Sequence, residues 1–183
     1  MAVEVVEYRD EWPASFAAVA KALRSACEGL PSVAVEHVGS TAVPGLAAKP
    51  ILDIDVIVSA DDLPAARQAL EAIGYRSSGD LGMTDREAMT APDNDPPRHV
   101  YLCLAGALAV RNHLAVRDTL RANPQLAVRY AAIKKSLAAD PTIDIDAYLA
   151  GKSAILQEIL EAGGITEAER TTILAVNNPT ISA

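Results

Sequence analysis

Apolar positions along this chain follow two periods, and the change from one to the other divides it. Trp12, Phe16, Val19, Leu23 and Ala26 recur at helical spacing, with Pro13 in the first turn and Gly29 and Pro31 closing the segment. Residues 32–38, short and rich in valine, predict a strand, and 39–45 a turn-rich loop. Residues 51–58 predict a second strand. Leu63, Ala66, Leu70 and Ile73 predict a second helix that Gly74 ends. Between 76 and 97 the chain is rich in Gly, Asp, Asn and Pro, with room for a strand at 86–90, and 98–104 reads as another strand. After Ala107 the period is helical throughout. One helix runs from Leu108 to Arg121, and Asn123-Pro124 caps the next, which carries Leu126, Tyr130, Ile133 and Leu137 on one face. Tyr148, Lys152, Ile155 and Ile159 predict one long last helix stopped by Gly163-Gly164. Early strands and late helices indicate an α+β fold. The expected divisions are a core over 1–106, a helical segment packed on it over 107–163, and a tail over 164–183 that has room for a short helix.

Composition narrows the function. The chain has 183 residues, 50% of them apolar, enough for an ordinary core. Its 16 basic and 24 acidic residues leave a net charge of −8, the wrong sign for a sequence-independent nucleic-acid binder. Six basic residues and one acid, Asp118, nevertheless lie between Arg111 and Lys135. That stretch is a place for an anionic ligand or for pairing with the acidic N-terminal half. No apolar run is long enough to cross a membrane, and the N-terminus lacks a basic segment ahead of an apolar one. With only Cys27 and Cys103 as thiols, the expected location is the cytoplasm.

Chemistry concentrates between Glu36 and Asp55. On a strand, Asp53 and Asp55 project side by side from one face, and hard oxygen ligands at that spacing suit Mg²⁺ or Mn²⁺. In isolation such a pair more often marks a strand that faces solvent on one side. Gly39-Ser40, after the preceding strand, permits close backbone approach to a phosphate, with a hydroxyl to bind it. The combination resembles the active-site core of the nucleotidyltransferase superfamily typified by DNA polymerase beta. The longer run Glu36-His-Val-Gly-Ser-Thr-Ala-Val-Pro-Gly-Leu-Ala-Ala-Lys-Pro-Ile-Leu-Asp-Ile-Asp55 resembles the signature of the GrpB family, also called UPF0157. His99-Val-Tyr-Leu-Cys103, Asn112 to Arg121 and Tyr148-Leu-Ala-Gly-Lys-Ser153 resemble further family motifs in the same order, so the resemblance spans about residues 5–163.

The resemblance implies a nucleotidyltransferase-like mixed β-sheet with flanking helices and a C-terminal helical segment. It implies binding of a nucleoside triphosphate with Mg²⁺ or Mn²⁺, the metal arriving with the nucleotide. Nucleotidyl transfer to an unknown small molecule would follow, or else a non-catalytic ligand-binding or regulatory module on the same fold. Asp53 and Asp55 are the expected metal ligands. Gly39, Ser40, Thr41, Lys49 and Arg117 are the expected phosphate contacts. No carboxylate stands where the superfamily has its third, and His99 or Tyr101 is nearest by position, so His99 joins the aspartates as a catalytic candidate. His37 reads as a structural histidine. His113, Arg117 and Arg121 form one helical stripe, open either to an anion or to structural pairing. Gly151-Lys152-Ser153 is not a phosphate loop, because Asp146 stands where that pattern needs glycine and the context is helical. No nucleic-acid or membrane partner is expected.

Overall fold

Side chains alternate across a strand, and the central strand uses this to separate core from chemistry. The computed structural model describes residues 3–177. Its strands are β1 (Val33–Val38), β2 (Leu52–Val58), β3 (Arg76–Ser77), β4 (Arg86–Thr90) and β5 (Arg98–Leu104). They form one sheet in the order β1-β2-β5-β4-β3. β2 and β5 run parallel, and every other neighbouring pair is antiparallel. On β2, Leu52, Ile54, Val56 and Val58 are buried against one face, while Asp53, Asp55 and Ile57 take the other.

Two helices, α1 (Trp12–Ala26) and α2 (Leu63–Ala72), cover the apolar face. Trp12, Val19, Ala20 and Leu23 of α1 and Ala66 and Leu70 of α2 form one buried cluster with Val35, Ile54, Val56, Val100 and Leu102. His37 points to this side. Its Nε2 lies 3.0 Å from the Thr41 hydroxyl and its ring stacks on Phe16 at 4.6 Å. Burial pushes its pKa down to about 4, so it is the neutral structural residue expected.

The second face receives the remaining helices: α3 (Leu108–Ala122), α4 (Pro124–Ala138), α5 (Ile145–Gly151), α6 (Ser153–Ala162) and α7 (Glu167–Asn177). Leu120, Leu126, Tyr130, Ile155 and Ile159 pack with Val43 and Leu46, so this helical layer closes on the loop between β1 and β2. The long last helix expected from 148 to 159 is two helices, with Lys152 as the step between them. Gly151, the last residue of the first of them, has low helix propensity. A Cβ there would lie 2.6 Å from Leu137 Cδ2, so the backbone comes close to α4 where a longer residue would hold it off. Part of the expected tail is ordered structure: α7 buries Ile173 against Leu160 and Ile165. Residues 178–183 lie outside the described residues. No helix among the described residues is long and apolar enough to cross a membrane.

Because sheet and helical layer share the 40–47 loop, they should unfold together. Trp12, the chain's one tryptophan, reports on the sheet core, whereas far-ultraviolet dichroism reports mainly on helix. Ile159→Ala removes a fully buried side chain from the helical layer and should cost about 2–5 kcal/mol. Both probes should shift to the same lower urea midpoint. Separate midpoints would show two independent units.

Candidate functional site

The end of β1 makes the first part of the site. Gly39 has φ +70° and ψ −170°, a backbone region essentially confined to glycine. A Cβ there would lie 2.3 Å from Asp53 Oδ2, so glycine also gives the Asp53 carboxylate its space. The chain then turns through one 3₁₀ turn, Ser40–Ala42, which aims Ser40 at the helical layer.

A cleft of about 450 Å³ opens between this turn, the ends of β2 and β5, and helices α4 to α6. Its polar lining is Ser40, Thr41, Lys49, Asp53, His99, Tyr101, Lys134, Tyr148 and Lys152. Three ammonium groups thus surround one lining carboxylate. Lys134 is 2% exposed; its Nζ donates to Ser40 Oγ at 2.9 Å and to the Ala47 carbonyl, and lies 4.4 Å from the Tyr130 ring centre. Burial, then repulsion from Lys152, brings its pKa down to about 7, against the pull of Asp53. Burial also lowers Lys152, and burial with Lys152 lowers Lys49; Asp53 opposes both shifts. None of the three lysines forms a salt bridge among the described residues. Burial also raises Tyr101 and Tyr130 to about 12, so both phenols are neutral donors.

Asp53 and Asp55 do share a face, but the structure gives them different neighbours. Asp53 Oδ1 lies 3.0 Å from His99 Nδ1 at the cleft wall. Asp55 is fully buried and does not line the cleft; its Oδ1 and Oδ2 lie 3.0 and 2.9 Å from His113 Nδ1 on α3. Burial alone would lower the His113 pKa, but the Asp55 charge and hydrogen bond, aided by Asp53, raise it overall. The Tyr101 ring centre lies 6.5 Å from that of His99 and 5.7 Å from that of His113.

Of the residues expected at phosphate, Gly39 packs on Asp53, and Ser40 and Lys49 line the cleft. Thr41 lines it too, yet its hydroxyl is engaged by His37. Arg117 lies elsewhere. It donates to Glu36 Oε2 at 2.7 Å, to the His37 carbonyl at 3.1 Å and to Asp118 at 2.7 Å, which locks α3 onto β1. Arg121 is likewise spent on the Ala42 carbonyl. The helical stripe therefore faces the protein and pairs with it. Lys134 and Lys152 are not among the expected phosphate contacts, although Lys152 lies in the Tyr148 to Ser153 stretch that resembles a family motif. Lys134 had a signal: it sits on the apolar face of its helix, one turn after Tyr130.

The residues present do not fit the expected two-carboxylate metal site. Both Asp55 oxygens face His113. β5 places His99 and Tyr101, not a carboxylate, beside Asp53 and Asp55. Among the described residues no group of three or more His, Cys, Asp or Glu is arranged to hold a metal ion.

The GrpB protein family model matches residues 2–162. The chain belongs to the GrpB family. A UPF0157 protein of Halalkalibacterium halodurans is 36% identical over 167 residues, covering 90% of this chain and 84% of its own length. A UPF0157 protein of Bacillus subtilis is 34% identical over 151 residues, and the match spans 82% of this chain but 44% of that protein. The crystal structure of the conserved protein GrpB from Enterococcus faecalis is 34% identical and superposes with a TM-score of 0.73, covering 86% of this chain and 98% of that one. A cytoplasmic RNA terminal U-transferase is 17% identical at a TM-score of 0.57, over 83% of this chain and 49% of that chain. At that identity the match shows the fold, which is nucleotidyltransferase-like.

Gly39→Ala should destabilise this GrpB-family chain more than Gly45→Ala. Both positions have positive φ, 70° and 77°, but only Gly39 has a neighbour within 4 Å of an added Cβ. Strain at Gly45 should cost about 1 kcal/mol, and Gly39 should exceed it. Equal losses on urea unfolding would contradict the close packing of Gly39 on Asp53.

Proposed function

We propose that this GrpB-family protein binds a nucleoside triphosphate through its phosphates in the cleft at Asp53. The observation that carries the reading is the convergence of Lys49, Lys134 and Lys152 on a cleft with one lining carboxylate. Burying ammonium groups near one another is unfavourable, and an anionic ligand relieves that repulsion. Ser40 adds a hydroxyl to the same wall, and burial lowers the pKa of Lys134 and Lys152, so a bound anion would favour their charged form.

Nucleotidyl transfer is a second reading with its own supporting observation. Asp53 holds His99 by Nδ1 at the mouth of the cleft, which leaves Nε2 to accept a proton from an acceptor hydroxyl. In that reading the acceptor oxygen forms a bond to the α-phosphorus as the bond to pyrophosphate breaks. The lysines take the leaving charge.

The ligand is a small molecule and not a nucleic acid. Five of the six basic residues between Arg111 and Lys135 are engaged within the chain: Arg111 by Glu169, Arg117 by Glu36 and Asp118, Arg121 by Ala42, Arg129 by Glu158 and Lys135 by Glu7. The sixth, Lys134, faces the cleft. No free basic track remains on those helices. A gel shift with tRNA or duplex DNA at about 150 mM salt should show no complex; sub-micromolar binding would contradict this.

Calorimetric titration with nucleoside triphosphates tests the main reading, with Lys152→Met expected to weaken binding about tenfold or more. The pH dependence has a definite sign. The groups facing Lys134 are the Ser40 hydroxyl, the Ala47 carbonyl and the Tyr130 ring, with burial and then Lys152 pushing its pKa down and Asp53 pulling it up. Its pKa of about 7 in the free cleft must rise when an anion binds, so binding takes up a proton above that pH. Affinity should fall from pH 7 to 9, and titration in buffers of different ionisation enthalpy should show proton uptake at pH 8. Lys134→Met should abolish the uptake. Proton release at pH 8 would contradict the assignment. If transfer occurs, His99→Gln should lower product formation from labelled triphosphate and a metabolite pool without weakening nucleotide binding.

A further inference from the structure

Asp53 and Asp55 look in sequence like a metal pair, and their surroundings argue for another division of labour. Asp55 has no solvent-exposed surface, and both its oxygens are within 3.0 Å of His113 Nδ1. A metal drawn to those oxygens would compete with their hydrogen bond to a half-buried histidine whose charge Asp55 supports. Asp53 keeps one oxygen on His99, and the other lies against Gly39. The strands on either side supply no replacement. β5 offers His99 and Tyr101, and Glu36, opposite Asp55 on β1, is held by Arg117 at 2.7 Å. A dication at Asp53 would also meet Lys49, Lys134 and Lys152, which line the same cleft. A dication is repelled by that arrangement, whereas a phosphate chain is attracted by it.

We propose that the cleft binds polyphosphate without a metal ion, the ammonium groups of Lys49, Lys134 and Lys152 supplying the positive charge. This rests on the phosphate reading of the cleft given above. Lysines are suited to the task because each presents a compact charge with three rotatable donors, and phosphate oxygens need no single geometry from them. The Asp55–His113 pair then has a positioning role: it fixes α3 on the sheet behind the site. Asp53, in the same arrangement, orients His99.

The test uses the full chain and inorganic tripolyphosphate as the probe, titrated by calorimetry in EDTA and again with excess Mg²⁺. Binding is expected in EDTA, and Mg²⁺ should weaken it severalfold by neutralising the ligand. Lys134→Met and Lys152→Met should each weaken binding in EDTA about tenfold or more. Lys49→Met, at a half-buried loop position, serves if either of those fails to fold. Binding seen only with Mg²⁺ would overturn the inference while the phosphate reading stands. Binding in EDTA that ignores all three lysine substitutions would overturn it by placing the ligand elsewhere. No binding with or without metal would overturn both.

Discussion

The buried ammonium group of Lys134 is the constraint on which the arrangement of the site depends. It is held by neutral partners, Ser40 Oγ and the Ala47 carbonyl, with the Tyr130 ring beneath it. These contacts join α4 to both ends of the loop between β1 and β2. They set the width of the cleft. They also leave a cation in a place where its charge is costly, beside Lys152 and away from any carboxylate that would pair with it. Packing holds that charge in place. Leu126, Tyr130, Ile155 and Ile159 close the helical layer over Leu46, so Lys134 cannot swing out to water without opening the layer.

The sheet supplies the complementary half. Alternation along β2 sends Ile54 and Val56 into a core built by α1 and α2, and sends Asp53 and Asp55 to the opposite side. α3 covers Asp55 with His113, whereas Asp53 stays at the edge where the cleft opens. The same helix spends Arg117 and Arg121 on Glu36, the His37 carbonyl and the Ala42 carbonyl, which fixes the 3₁₀ turn that presents Ser40. A nucleotidyltransferase-like frame thereby carries a cleft lined by three lysines and one carboxylate.

Most of the fold was legible because local patterns and tertiary burial agree. The valine-rich strands, the helix from Trp12 and the capped helix after Asn123 lie where periodicity puts them, and Asn123 accepts from the Leu126 amide as a cap should. The break at Lys152 was hidden by the apolar period that runs on from Tyr148 to Ile159, and Gly151 is its one local sign. The site was legible along one loop and strand, where Gly39, Ser40, Lys49 and Asp53 are near in sequence. Lys134 and Lys152 come from distant helices, and no local spacing relates them to that strand. Arg117 shows the converse: a basic stripe on one helix says nothing of the carboxylates that fold against it.

In the proposed arrangement Lys134, Lys152 and Ser40 together form the seat for a phosphate chain. The most direct measurement is a crystal structure of the protein grown with tripolyphosphate. Phosphate oxygens are expected about 2.7–3.1 Å from Nζ of Lys134 and Lys152, beside Ser40 and with the Asp55–His113 pair intact. Phosphate bound away from the cleft, or a metal ion coordinated by Asp53 and Asp55 with His113 displaced, would contradict it.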